Sequence, residues 1–457
     1  MRGINWRFVT GIIIAISIVA FCLTPQFRHI YSLPPHMRII EGETALFTVN
    51  FPLTVTVNSD FDPSIRLHSD TPLYALSRPV SLQPVKLGKA VVEFRLLGLI
   101  PVRTVQVDVT PPLKLVPGGH SIGVVLHSQG VIVVGNSPVL SQDGQYYTPA
   151  KDAGIAVGDV ILSINGTPVN NDAQVAEIIN EAGKEKSPVD ILIKRGDSRA
   201  QVTVTPVLCS DTKRYRIGLF VRDSAAGVGT LTFYEPVSRT YGALGHIITD
   251  SDTNQPIDCE QGKIVLATVS GIQHGKRGQP GEKIGVFIEE GQMLGDIRKN
   301  TPFGIYGKLE TLIENNLFHE AIAVASMSQV QTGPAEMLTV IDGQTIERFS
   351  IEIQKVNLQE VPEGKGLVIK VTDSRLLEKT GGIVQGMSGS PIIQNGKIVG
   401  AVTHVFIHDP TRGYGCFVDW MLMESGLLPK KERQTVRKLF SFSGLFGAPG
   451  WALLSLG

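Results

Sequence analysis

The stretch Gly386-Met387-Ser388-Gly389-Ser390-Pro391 joins a hydroxyl to glycines that permit a tight turn. Acyl transfer by serine needs an exposed hydroxyl, an imidazole base, a group that orients the base, and donors for the oxyanion. A glycine turn aims backbone N–H groups at one point, and here those of Gly386 and Ser388 would be the donors. Ser390 is a rival nucleophile, but a donor two residues before the serine favours Ser388. Asn395-Gly396 between two apolar runs signals a hairpin, which would anchor the turn on rigid β structure. A plain glycine-rich hairpin loop is the alternative reading.

The base should precede the serine. Of the ten histidines, His246 in Gly242-Ala243-Leu244-Gly245-His246-Ile247-Ile248 has small residues before it and β-branched residues after it, as at the edge of a strand or turn. For the orienting carboxylate, residue chemistry leaves Asp250, Asp342 and Asp373 open. Asp373 ends an apolar strand near the nucleophile turn and could equally cap the helical stretch that follows it.

The elements that must position these groups are β-rich. The chain has 457 residues, 48 glycines, 27 prolines and 18% charged residues, which suits β domains with many turns. A formal net charge of +0 gives no electrostatic footprint for nucleic acid. The four cysteines, Cys22, Cys209, Cys259 and Cys416, include no close pair, so no metal site, no cofactor and no disulfide framework is expected. Phe8 to Leu23 is uncharged and follows Arg2 and Arg7, which predicts a single-pass anchor with the rest of the chain outside, a cleaved signal peptide being the rival.

Five segments follow: 1–33 as cytoplasmic tip and anchor, 34–113 as a β-rich region, 114–208, 209–441, and 442–457 as an apolar tail. Helical pattern is read around Tyr306 to Asn315 and near Met421 to Leu427. Segment 114–208 resembles a PDZ domain, most specifically in Ala153-Gly154-Ile155-Ala156-Val157-Gly158-Asp159-Val160-Ile161-Leu162-Ser163-Ile164-Asn165-Gly166. PDZ domains add an extended peptide as a strand and hold its carboxylate with backbone N–H groups of a glycine-containing loop. Ser121-Ile122-Gly123-Val124 matches that loop, and a helix bearing Val175, Ile178 and Ile179 would form the opposite wall. A PDZ fold acting only as a spacer is the alternative.

The nucleophile turn resembles the Gly-Asp-Ser-Gly-Gly-Pro of chymotrypsin-like peptidases, with Met387 and Ser390 differing. The order of anchor, β-rich region, PDZ domain and peptidase, with Ala243-Leu244-Gly245-His246, Val371-Thr372-Asp373 and Thr380 to Ile393, resembles the stage IV sporulation protein B peptidases of endospore-forming bacteria. That resemblance implies a mainly β fold ending in a chymotrypsin-like double β-barrel, and a triad of His246, Asp373 and Ser388. It also implies a sporulation signalling peptidase secreted across the inner forespore membrane. Such an enzyme cleaves itself, then a regulatory membrane protein, so that an intramembrane metalloprotease processes pro-sigma-K. A PDZ-based peptide-binding scaffold and a general envelope protease of the HtrA kind are the competing functions. The HtrA kind usually places its protease before its PDZ domain.

Overall fold

The computed structural model describes residues 35–58, 64–68, 77–287, 293–359 and 362–429, with scattered positions between 9 and 27. Among the described residues no helix is long and apolar enough to cross a membrane. The expected anchor at Phe8 to Leu23 lies largely outside them, and the tail at 442–457 lies wholly outside.

Residues 36–110 form two sheets. One has the order His36–Ile40, Ile100–Thr110, Gly88–Leu96, Leu53–Asn58, and the other Ala45–Asn50, Ser77–Pro84, Ile65–His68. Alternation at Val105, Val107 and Val109 buries one face against Val49, Val80, Leu82, Ile65 and Phe94 of both sheets. This unit docks on the rest through Arg38, whose Nε donates to Asp419 Oδ1 at 2.7 Å and whose Nη2 donates to the Ala325 carbonyl at 3.0 Å. Glu43 adds contacts to Gln329 and Lys397.

Beyond residue 113 the chain does not divide where its sequence changes texture. Lys114–Pro117 pairs with Ile322–Ala323 and with the far end of Leu219–Tyr234. The long strand Ser121–Asn136 runs beside Leu219–Tyr234 through most of its length. Its first half also pairs with Cys259–Gln273, and its second half pairs with Val160–Ile164. Both long strands therefore belong to two units at once. They bend at a register shift between Arg222 and Ser224, where Ser128 Oγ donates to the Gly130 carbonyl at 2.6 Å. The PDZ-like unit grows out of the strands of its neighbour, and strands on both sides of the expected cut at 208/209 belong to one sheet.

One six-stranded barrel closes: Gly333–Val340, Ile346–Val356, Leu367–Val371, Asp409–Phe417, Lys397–Phe406 and Pro391–Gln394, returning to the first. Among the described residues the other half does not close into a barrel, and its strands continue into the PDZ-like unit. Asn395 and Gly396 both take positive φ, +51° and +73°, as the hairpin signal required. The helix Val418–Ser425 covers the barrel with Trp420 and Met421 buried. The helical pattern at Tyr306 to Asn315 is corrected: Gly304–Lys308 is a strand, held because Tyr306 and Ile305 pair with Gly242 and Ala243.

The Arg38–Asp419 pair is almost fully buried, at 8% and 5% side-chain exposure. Asp419 Oδ2 also accepts from the Met327 N–H at 2.6 Å. Asp419→Ala strands a buried guanidinium and should lower the unfolding free energy by about 3 kcal/mol, read as a lower midpoint in denaturant titration.

Candidate active site

The strand Thr240–Ala243 delivers His246 through a turn in which Leu244 and Gly245 have φ of +71° and +72°. The barrel delivers Ser388 between Gly386 and Gly389, both also at positive φ. A Cβ on Gly389 would collide with the Thr230 carbonyl oxygen and the Leu244 amide. Only glycine lets the serine turn lie against the turn that carries His246. Both residues line one cleft of about 1220 Å³ between the halves, with Gly386, Thr403 and His404.

Ser388 faces that cleft, whereas Ser390 is fully buried with its hydroxyl unpartnered. Ser388 Oγ donates to the Thr403 carbonyl at 2.8 Å. Around it the turn is pinned: the Thr230 N–H donates to the Ser388 carbonyl at 3.0 Å and the Gly389 N–H to the Val402 carbonyl at 2.8 Å. The Met387 N–H donates to the Val384 carbonyl at 3.1 Å. Among the described residues the N–H groups of Gly386 and Ser388 have no acceptor.

His246 is half-buried, and its Nδ1 pairs with the Ile247 carbonyl at 2.8 Å. Because a carbonyl only accepts, Nδ1 carries the proton and Nε2 is left as the basic nitrogen. Its ring lies 5.1 Å from that of His404, centroid to centroid. Burial lowers the His246 pKa, partly offset by the bond to the Ile247 carbonyl. His404 is pushed down to about 4 by desolvation and then by the charges of His246 and Lys365.

Asp373 is not brought to this cleft. It is the N-cap of the helix Ser374–Thr380, and its carboxylate accepts from the N–H groups of Arg375 and Ser350 and pairs with the Arg375 guanidinium. These partners hold its carboxyl below the usual range, against a desolvation that raises it. Asp250 is also taken, by Arg222 Nη1 at 2.8 Å and by the Thr253 hydroxyl and N–H. Asp342 pairs with Lys379. Among the described residues no carboxylate bonds to His246, and the acidic side chain on the cleft wall is Glu363.

In the PDZ-like unit, Asp159 of the diagnostic phrase is buried and paired with Arg195. The helix Asp172–Lys184 starts on Asn171, whose Oδ1 accepts from the Gln174 N–H at 2.8 Å, and it buries Val175 and Ile179, with Ile178 packed at the edge of the same core. The expected carboxylate loop needs correction. Ser121, Ile122, Gly123 and Val124 lie inside a strand whose edges pair with Thr230–Gly227 on one side and, for Ile122 to Val124, with Leu266–Ile264 on the other. N–H groups already in a ladder cannot receive a peptide terminus. The groove beside the helix is instead walled by Gly218, Leu219, Phe220 and Val221. The signal for it in the sequence is Ile217-Gly218-Leu219-Phe220, a glycine between apolar residues at the start of a strand.

Fold and site together show a PDZ-like unit continuous with a mainly β unit that holds Ser388 and His246 on one cleft. Residues 213–422 match the SpoIVB peptidase S55 family and residues 121–205 match the PDZ domain family, so the chain carries a SpoIVB-type serine peptidase domain with a PDZ domain. It is 45% identical to HhoA of Synechocystis sp. over 58 residues, 12% of this chain and 14% of that protein. It is 37% identical to serine protease HTRA1 of Xenopus laevis over 59 residues, 13% of this chain and 12% of that protein. The chain thus spans only about a seventh of the length of the curated relatives it matches. Among solved structures, the PDZ domain of the SdrC-like protein of Listeria monocytogenes aligns at 22% identity and TM-score 0.16, over 20% of this chain and 87% of that one. The active form of the Rv3671c protease of M. tuberculosis aligns at 13% and TM-score 0.26, over 46% and 76%. Scores this low carry no argument.

Two outcomes test the site. An asparagine caps a helix as well as an aspartate does, so Asp373→Asn should keep activity within about tenfold, whereas loss of a triad carboxylate costs about 10⁴-fold in kcat. A base whose pKa lies below 6.5 stays neutral in mild acid. The acid limb of kcat/KM should therefore fall below pH 6.5, and a limb above that value would contradict the burial-lowered pKa of His246.

Proposed function

We propose that the chain is a self-processing serine endopeptidase of sporulation signalling. Ser388 attacks the scissile carbonyl and His246 takes its proton through Nε2, returning it to the leaving amine. The developing oxyanion is received by the N–H groups of Gly386 and Ser388. The observation that carries this reading is the pair of unpartnered N–H groups flanking the accessible Ser388 in the cleft that also holds His246. The Ser388–Thr403 hydrogen bond describes a resting serine, and rotation about χ1 would turn the hydroxyl away from that carbonyl.

The Asp373 carboxylate supports the site from a distance in this proposal, by capping the helix that precedes the nucleophile turn. The proposed substrates are the chain itself, within 34–113, and a regulatory membrane protein whose cleavage triggers intramembrane processing of pro-sigma-K. The proposed location is the inner forespore membrane, facing the intermembrane space, with release after self-cleavage. The family match on residues 213–422 supports this biology, and the groove beside the helix Asp172–Lys184 supplies a place for a peptide segment.

Expressed alone, the wild-type chain should shorten itself and be labelled at Ser388 by a serine-directed phosphonate. Ser388→Ala should do neither. If both proteins remain full length and unlabelled on denaturing gels, the peptidase reading is wrong.

A further inference from the structure

Lys283 is buried to 1% exposure directly under the nucleophile turn. It has no carboxylate partner among the described residues. Its Nζ reaches two buried hydroxyls, Thr339 Oγ1 at 2.8 Å and Thr230 Oγ1 at 3.4 Å. Thr230 Oγ1 in turn donates to the Gly386 carbonyl at 2.7 Å, so its lone pairs are what the amine meets. The stem of Lys283 lies where a Gly386 side chain would begin, with its Cβ, Cγ and Cδ 3.1–3.3 Å from that position. Its own N–H donates to the Gln385 carbonyl at 2.9 Å, and the Gln385 N–H returns to the Gly281 carbonyl at 2.8 Å.

An ammonium has three N–H donors, and the described surroundings offer two hydroxyls; a neutral amine has two. Desolvation accordingly pulls the Lys283 pKa down to about 7. An apolar chain of the same length would fill the space without that desolvation, so packing alone gives no reason for the amine. What the amine reaches, through the Thr230 hydroxyl, is the Gly386 carbonyl, in the peptide that links the two carrying the Gly386 and Ser388 N–H groups.

We propose that Lys283 is a positioning residue for the oxyanion turn: its amine fixes the Thr230 hydroxyl as donor to the Gly386 carbonyl, and its stem props the Gly386 peptide, so that the Gly386 and Ser388 N–H groups stay aimed into the cleft. This rests on reading Ser388 as the nucleophile. The chain of bonds spans both halves of the peptidase, since Thr230 belongs to Leu219–Tyr234 and Thr339 to the closed barrel.

The test uses the full chain and a fluorescent serine-directed phosphonate. Lys283→Met should lower the maximal labelling rate by about 10- to 100-fold, short of or equal to the loss of one oxyanion donor. The half-saturating probe concentration should stay unchanged, and the melting temperature should hold or rise. Thr230→Val should lose as much, Thr230→Ser should restore most of it, and the Lys283→Met/Thr230→Val pair should lose no more than either alone. Wild-type labelling in Lys283→Met overturns the inference. If that variant does not fold, wild-type labelling in Thr230→Val overturns it. Should the wild-type chain itself resist the probe, the peptidase reading fails separately. Amide hydrogen exchange over 381–391 then decides the positioning role: faster exchange in Lys283→Met upholds it and unchanged exchange rejects it.

Discussion

The ladder between Ser121–Asn136 and Leu219–Tyr234 is the constraint on which everything else hangs. At one end, Leu219 to Val221 form a wall of the groove beside the PDZ helix. In the middle, Arg222 and Ser224 to Val228 line the cleft that holds Ser388 and His246. Near the other end, Thr230 holds the carbonyls of Gly386 and Ser388. A strand paired along its length transmits displacement as a rigid element. The groove and the cleft therefore share a backbone, which a flexible linker between independent domains would not provide.

Burial at this junction is handled without carboxylates. His246 relies on a backbone carbonyl to fix its tautomer, and Lys283 relies on hydroxyls. The buried acids lie elsewhere and are each satisfied by arginine: Asp159 by Arg195, Asp250 by Arg222 and Asp419 by Arg38. Those pairs fasten a PDZ corner, the loop after the histidine and the N-terminal sheet. The cleft is lined by Gly386 and Ser388, whose N–H groups have no acceptor among the described residues, by the cations Arg222 and Lys365 and by Glu363, so a developing negative charge would meet dipoles in place and one carboxylate among the described lining.

Packing against glycine explains why the two halves close so tightly. The nucleophile turn contacts the first half at Gly389, where the Thr230 carbonyl oxygen and the Leu244 amide occupy the space of a side chain. The histidine turn contacts the barrel at Gly245, where a Cβ would come within 3.0 Å of Thr403 Cγ2 and 3.3 Å of Cys416 Sγ. A methyl group at Gly389 would fit only if the serine and histidine turns moved apart, and one at Gly245 would require its barrel neighbours to give. Such misplacement costs orders of magnitude in rate without any change in chemistry.

Several features were written locally and could be taken from the sequence. The glycine pattern around Ser388 dictates a turn with inward N–H groups, because positive φ there is accessible to glycine alone at low cost. Asn395-Gly396 dictates a hairpin, and alternation at Val105, Val107 and Val109 dictates a strand buried on one face. The phrase around Asp159 marked the PDZ core, since a buried carboxylate must find its arginine. What the sequence could not settle was every partnership set by long-range pairing. Ser121-Ile122-Gly123-Val124 and Ile217-Gly218-Leu219-Phe220 look alike as strings; only the second keeps an edge facing the helix, because the first is hydrogen-bonded on both sides. Asp373 looks like an orienting carboxylate or a cap from its neighbours alone, and the fold spends it as a cap because Arg375 and Ser350 are where its oxygens point. Lys283 gives no local sign of its burial, since what surrounds it comes from residues some fifty and a hundred positions away in the chain. Residue type fixes what a group can do; which groups meet is decided by the pairing of distant strands, which no local pattern encodes.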